Sequence, residues 1–160
     1  MADSVTMNAT IRKFGYPATL IHDYEHWVVL LRPAQPTLGS LILAAKSDAA
    51  AFGSLPPEAH AELAKITADI EAALTAAVGY ERINYLMLMM VDPHVHFHVL
   101  PRYQDDRSHG GIEVVDAGWP GPPSLGQAVT LDDDQRTALR VWLLGHWPTS
   151  TGPNLPRSAD

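Results

Sequence analysis

The first half of the chain alternates between apolar stretches and polar, proline-containing connections. Apolar stretches at residues 19–21, 27–31 and 40–44 predict three β-strands. The polar residues 22–26 fit a tight hairpin between the first two strands, and Pro33 and Pro36 mark a turn before the third. We therefore expect the first two strands to pair with each other, with the third strand following this turn.

Helical periodicity follows these strands. The Ala-rich residues 47–52 predict a short helix, and Pro56 and Pro57 fit the first turn of a longer one. The longer helix has an apolar stripe at spacings of three and four residues, formed by Leu63, Ile66, Ile70, Leu74 and Ala77. Gly79 is the expected helix stop.

The second half opens with an apolar run at residues 83–90, which predicts a strand buried on both faces with its methionines in the core. Turn residues 91–93 and a strand at 94–100, ended by Pro101, then predict an antiparallel hairpin. Beyond residue 103 the chain is polar and rich in Gly and Pro. We interpret residues 103–126 as a surface excursion with a short strand at 112–115, before a last helix at 131–144.

Length, cysteine content and net charge exclude several kinds of site and partner. The 160 residues fit one domain, predicted over residues 1–147, with a flexible tail at 148–160. The chain has no cysteine, so disulfides and thiolate chemistry are excluded. A net charge of -7 without a basic cluster argues against a nucleic-acid partner but permits a small phosphorylated ligand. No leader-like or membrane-spanning apolar run is present, so we expect a cytoplasmic protein with no membrane partner.

Three of the eight histidines lie within five residues, at His94, His96 and His98. Side chains on a strand alternate between faces, so the three imidazoles are expected to share one face. The apolar residues between them should then pack on the core.

Three interpretations of this cluster remain open. The histidines could be partly buried and satisfied by backbone groups, although an isolated histidine fits that role better than three in register. Two neighbouring imidazoles could instead chelate zinc, with a third ligand drawn from Asp92, Asp105, Asp106 or His109, none of which has a recognisable ligand spacing. The third interpretation is phosphoryl transfer, in which the central imidazole attacks phosphorus and its neighbours stabilise the charged oxygens.

The run His94-Val95-His96-Phe97-His98-Val99-Leu100 resembles the signature of the histidine triad family. The following Pro101-Arg102 resembles the dinucleoside polyphosphate hydrolase branch of that family. The resemblance implies an α+β fold, with a meandering antiparallel sheet of about five strands, one long helix and one or two short ones. It also implies a homodimer without a cofactor, with a core at residues 18–103 and a C-terminal extension at 104–147.

The resemblance further implies a nucleotide hydrolase or transferase that cleaves phosphoanhydride or phosphoramidate bonds, of the diadenosine polyphosphate or AMP-derivative type. His96 would form a nucleotidyl-histidine intermediate, His98 would contact the α-phosphate, and the carbonyl of His94 would orient His96. The alternative is a nucleotide-binding regulatory module with little catalysis.

The sequence departs from the family pattern in three places, one of which is Gly39-Ser40, where the family commonly has Gly-His. The Gly- and Gln-containing loop expected before the triad is replaced by the apolar residues 86–91. Leu31 and Arg32 stand where the family holds the ribose hydroxyls, and Arg32 could pair with a phosphate instead. Arg102 is a candidate for a distal phosphate or a solvated strand-end charge, and His109 could reach the site from a mobile loop.

Overall fold

A computed structural model describes residues 7–148 and contains a five-stranded antiparallel sheet in the order β1-β2-β4-β6-β5. Its strands are β1 (Leu20–Asp23), β2 (Trp27–Leu31), β4 (Leu41–Ala45), β5 (Arg82–Leu86) and β6 (His96–Arg102). Two small ribbons pair β3 (Ala34–Gln35) with β9 (Val129–Thr130), and β7 (Arg107–His109) with β8 (Ile112–Val114). The helices are α1 (Ala9–Lys13), α2 (Pro57–Ala77) and α3 (Asp133–His146).

Both faces of the sheet are covered, which is why every residue of β2 and β4 is buried. Helices α2 and α3 pack on one face through residues such as Ile70, Leu74 and Leu139. On the other face, Ile11 of the short helix α1 packs against a second apolar cluster formed by Val28, Leu30, Ile42 and Ala44. The sheet therefore separates a large two-helix side from a small one-helix side.

The long helix α2 confirms the sequence prediction at both ends. Pro57 occupies its first turn, where a missing N–H costs no hydrogen bond. Gly79 follows the end of the helix with a φ of 65° and donates to the carbonyl of Thr75. This left-handed conformation is the one that glycine adopts most readily at a helix terminus.

The structure also confirms other elements predicted from the sequence. These are the three early strands, the β5–β6 hairpin, the short strand β8 and the last helix. The five-stranded α+β arrangement agrees with the expected fold. After α2 the chain reaches the outer edge of the sheet with β5 and returns inward with β6. The histidine strand β6 therefore lies between two neighbours, β4 and β5.

The prediction of a short helix at residues 47–52 is wrong. The structure has only one 3₁₀ turn there, at Phe52–Ser54. The hydroxyl of Ser47 accepts the N–H of Ala49 in a local turn, and the carbonyl of Ala49 accepts the N–H of Val95. These bonds hold the segment in a non-helical path, a competition that serine commonly imposes on helix formation.

The strand predicted at residues 83–90 is confirmed only in its first half, and the prediction that it is buried on both faces is wrong, since β5 lies at the edge of the sheet and none of its residues is buried. β5 ends at Leu86, and Met90 and Val91 are exposed over 86% and 81% of their surfaces. Met89 has a φ of 52°, a left-handed conformation that interrupts an extended strand. The methionine run therefore lies in a loop, in which Met87 and Met89 pack partly buried against the core and Met90 is exposed.

The prediction that Pro101 ends its strand is wrong, because β6 continues to Arg102. The carbonyl of Arg102 accepts from Glu81 on the β5 side, so the nitrogen of Pro101 faces the opposite side. On that side the pairing with β4 stops at Val99. The missing N–H of Pro101 consequently removes no hydrogen bond from the sheet.

Within residues 7–148, no helix has the length and apolarity needed to cross a bilayer. The flexible tail expected at 148–160 falls, apart from Pro148, outside the described residues. The division into a core and a C-terminal extension stays a prediction.

Candidate functional site

The two histidines of β6 lie on the same face of the sheet as helix α1. His96 is opposite Ala44 and His98 is opposite Ile42 in the pairing with β4. Their ring centroids are 5.2 Å apart, with the ring planes at 67°. The flanking Val95 and Val99 pack in the core on the other face, and Phe97 between the two histidines packs partly buried against the same core, as the alternation predicted.

His94 does not share this strand geometry, because β6 begins at His96. The expectation that one strand presents all three rings is therefore wrong for His94. Its ring Nδ1 lies 2.9 Å from the hydroxyl of Thr10 in α1. Its backbone carbonyl lies 2.7 Å from Nδ1 of His96.

The contact with the His94 carbonyl determines the tautomer of His96. A carbonyl oxygen can only accept a hydrogen bond, so Nδ1 of His96 carries the proton. In the neutral ring the lone pair then resides on Nε2. This leaves Nε2 of His96 as the nucleophilic atom of the cluster.

His98 has the opposite tautomer. Nε of Arg32 lies 3.3 Å from Nδ1 of His98, and a guanidinium can only donate, so the ring proton is on Nε2. Burial, with smaller contributions from the positive charge of Arg32 and from the neighbouring imidazole of His96, lowers the pKa of His98 to about 4. At neutral pH, His98 is therefore an uncharged hydrogen-bond donor.

A cavity of about 290 Å³ opens beside these two rings. Only 1% of the surface of His96 is exposed, yet its ring lines this cavity together with that of His98. The remaining lining comes from α1, the end of β2 and the loop after β5, through Lys13, Phe14, Arg32, Leu88, Met89, Met90, Val91 and Asp92. A ring nitrogen with an available lone pair and an N–H donor thus lie beside a space that can hold a small ligand.

Arg32 brings positive charge to this cavity. Within residues 7–148, no carboxylate lies within salt-bridge distance of its guanidinium. Nε donates to His98 and Nη1 donates to the carbonyl of Ala34 at 2.5 Å, while Nη2 makes no hydrogen bond to another described residue. Burial lowers the pKa of Arg32, because the charged form is partly desolvated. Such a cation favours an anionic ligand beside His98.

Two predicted ligand-binding residues lie away from the cavity. The side chain of Leu31 is fully buried in the core cluster on the α2 and α3 side. The guanidinium of Arg102 bonds to both carboxylate oxygens of Asp116, at 2.7 and 3.0 Å, and also to Asn84 and Gly121. Arg102 is therefore not a solvated charge, and four of its five N–H donors are already used within the protein.

The structure does not assemble the suggested metal ligands. No group of three or more His, Asp or Glu side chains in the described part of the chain is placed to hold a metal ion. Asp92 forms an ion pair with Lys13 at 2.8 Å. His109 stacks on Trp142 of α3, with ring centroids 4.2 Å apart, and does not line the histidine cavity.

Helix α1 supplies site residues that sequence reasoning missed. Thr10 contacts His94, Lys13 contacts Asp92, and Phe14 lies 5.7 Å from the His96 ring and 6.0 Å from the His98 ring. The available signal was Asn8, whose side chain accepts the N–H of Ile11 as a helix N-cap. That cap defines the start of a helix too short to show amphipathic periodicity.

Solved structures share this architecture. A histidine triad protein from Bradyrhizobium japonicum superimposes with a TM-score of 0.67 at 19% identity, over 89% of this chain and 97% of that one. A histidine triad protein from Sinorhizobium meliloti gives a TM-score of 0.68 at 23% identity, over 88% and 96% of the two chains. The chain has the histidine triad fold.

A zinc-bound histidine triad family protein from Mycobacterium smegmatis is also similar, with a TM-score of 0.55 at 20% identity over 85% of this chain and 91% of that one. No protein-family model matches the sequence, and no curated protein does. The likeness is therefore one of fold. Within the histidine triad fold, the chain places His96 and His98 on a central strand beside a cavity.

Proposed function

We propose that the protein is a nucleotide hydrolase or transferase that acts through a nucleotidyl-histidine intermediate on His96. The observation that carries the proposal is the hydrogen bond from Nδ1 of His96 to the carbonyl of His94. It leaves a lone pair on Nε2 and supports the positive charge that the ring acquires when Nε2 forms a bond. The ring lines a cavity with a neighbouring neutral donor and an arginine.

In the first step, Nε2 of His96 attacks the α-phosphorus of a nucleotide derivative. The bond from phosphorus to the leaving group breaks, and its electron pair departs with the leaving group. Negative charge on the non-bridging oxygens is met by the Nε2–H of His98 and by the remaining donors of Arg32.

In the second step, water or another acceptor attacks the same phosphorus and the bond to Nε2 breaks. The electron pair returns to His96, the proton of the acceptor passes to solvent, and the nucleoside monophosphate is released or transferred. The substrates are phosphoanhydrides, such as diadenosine polyphosphates, and phosphoramidates or related derivatives of AMP.

A second candidate function is a nucleotide-binding regulatory module with little catalysis. It is favoured by residues 88–91 beside the cavity, which are all apolar and offer no side-chain donor to a departing group. Leaving groups that need protonation would be cleaved slowly at such a site. Nucleotide binding without turnover would support this second function.

The decisive experiment compares the wild type with His96→Asn on adenosine phosphoramidate, diadenosine polyphosphates and nucleotide sugars. We expect turnover to fall at least about 10³-fold, because the nucleophile is removed. His60→Asn, outside the histidine cavity, is the matched control and should keep wild-type rates. Mass spectrometry after quenching without acid should find an added nucleotidyl mass on the peptide containing His96.

Wild-type turnover in His96→Asn, or label on another residue, would reject the covalent mechanism. Elemental analysis of protein purified without a metal-affinity tag belongs to the same experiment, because a protein of similar fold binds zinc. Stoichiometric zinc that is lost in His96→Asn would favour a metal site instead.

We also propose a homodimer. β5 is an edge strand of the sheet and has no strand on its outer side within residues 7–148. Its unpaired backbone groups are a suitable surface for a second copy. Light scattering during gel filtration should give twice the monomer mass, and a monomer at micromolar concentration would contradict this.

A further inference from the structure

We propose that Arg32 is a positioning residue that holds His98 in the tautomer with its proton on Nε2. The inference deepens the proposed function and rests on it for the role of His98. Its geometric basis is the contact of 3.3 Å between Nε of Arg32 and Nδ1 of His98. With Nδ1 occupied, Nε2 is the only ring nitrogen of His98 left for a ligand.

The direction of this hydrogen bond is unambiguous. A guanidinium has five N–H donors and no acceptor, so Nδ1 of His98 must accept. A hydroxyl or a carboxamide at position 32 could bond to either tautomer of His98, because each can donate or accept. Arginine can only donate and therefore bonds to one tautomer. The pair His96 and His98 thus has opposite tautomers, one set by a carbonyl and the other by a guanidinium.

Arg32 is itself held firmly enough to impose this choice. Its N–H donates to the carbonyl of Ser40 at 3.0 Å, and its carbonyl accepts from the Gln35 side chain at 2.6 Å. Nη1 is fixed by the carbonyl of Ala34. On the other side, the ring of Phe14 meets His98 edge-on. The imidazole is therefore fixed from two directions, as preorganised donors require.

Most of the groups around His98 oppose its protonation. Arg32 follows β2, His96 is on the same strand as His98, and Lys13 reaches the cavity from α1, while Asp92 is the opposing negative charge on the loop after β5. Burial and the positive charges outweigh Asp92 and lower the pKa of His98 to about 4. Nδ1 of His98 therefore stays unprotonated throughout the neutral pH range and can accept from Arg32.

Imidazole ¹⁵N NMR tests the inference without any need for turnover. In the wild type, His98 should show a protonated Nε2 and an unprotonated Nδ1, without titrating between about pH 5.5 and 8. Arg32→Met should mix the two tautomers and bring the pKa of His98 closer to its ordinary value of 6.5. Arg32→Lys keeps a charged donor and should restore at least part of the wild-type pattern. The matched control, Arg82→Met, changes an exposed arginine outside the histidine cavity and should alter nothing at His98.

If the proposed function holds, Arg32→Met should also lower kcat by about ten-fold or more, with partial rescue by lysine. Its pH profile should gain a dependence near pH 6 that the wild type lacks. A wild-type His98 protonated on Nδ1, or an unchanged tautomer and titration in folded Arg32→Met, would overturn the inference. If Arg32→Met fails to fold, the His98 tautomers in the wild-type and Arg32→Lys spectra test the inference instead. An inactive wild type with the expected spectra would reject the proposed function and leave the positioning role intact.

Discussion

Replacing Arg102 by methionine tests whether this residue supports the fold or binds substrate. Its side chain is 4% exposed, and its guanidinium is held by Asp116, whose side chain is 1% exposed. Methionine retains much of the apolar stem but removes the charge and every donor. The substitution leaves the Asp116 carboxylate buried with one remaining partner, the N–H of Tyr103 at 3.2 Å.

The expected loss of stability follows from the buried Asp116 carboxylate, which is left without its cation. Removing one member of a buried ion pair costs about 3 to 5 kcal/mol, because the other member stays desolvated without compensation. For a domain of this size, each kcal/mol lowers Tm by about 2 to 4 °C, so we expect a loss of about 10 °C. Arg102→Met combined with Asp116→Asn removes both charges and should cost less than the sum of the two single changes, by about 2 kcal/mol or more.

Urea unfolding of the wild type, both single variants and the double variant measures this cycle. At temperatures where Arg102→Met stays folded, its kcat/KM should match that of the wild type. A loss of stability below about 1 kcal/mol, or strictly additive effects, would refute the argument from a stranded charge. A large loss of kcat/KM in a fully folded variant would return Arg102 to the substrate-binding residues.

Three further predictions concern stability and the support of the histidines. Gly39→Ala should cost about 1 to 3 kcal/mol in urea unfolding, because φ is +93° and the new Cβ would lie 2.9 Å from Cγ2 of Val78; a neutral effect would contradict this. Thr10→Val should lower kcat/KM about five-fold by removing the partner of His94, with Thr10→Ser as the active control. The lowered pKa of His98 means that the unfolded state binds a proton before the folded state does, so its contribution to stability should fall from about pH 6.5 to about pH 4. His98→Asn should flatten that part of the curve of unfolding free energy against pH, and an unchanged slope would argue against the shift.

The sheet and the long helix were predictable because their patterns are long and regular. β2 was placed at its observed bounds, and the stripe from Leu63 to Ala77 is the periodicity of α2. The period of two also placed His96 and His98 on one face. The same pattern wrongly included His94 in the strand, because the start of a strand depends on the neighbouring strands. β4 pairs with β6 only from His96 onward.

The missed features depend on contacts between distant residues. α1 has five residues and is stabilised through Asn8, which caps it and also donates to the carbonyls of Ala45 and Ser47. Arg102 looked like a candidate for phosphate binding until Asp116, fourteen positions later, was found beside it. The loop at residues 87–91 has a core-like composition, so hydrophobicity alone assigned all of it to the interior, although residues 88, 90 and 91 are exposed.

One consequence follows from the small helix on the histidine side of the sheet. Ile11 anchors α1 in the apolar cluster, whereas positions 10, 13 and 14 of the same segment touch or line the site. Lys13 is the one of these three side chains that is not buried in the fold or packed on the apolar cluster, since Thr10 is 2% exposed and Phe14 packs on the cluster. Redesign of ligand selectivity would therefore begin at Lys13, within a segment shorter than two helical turns.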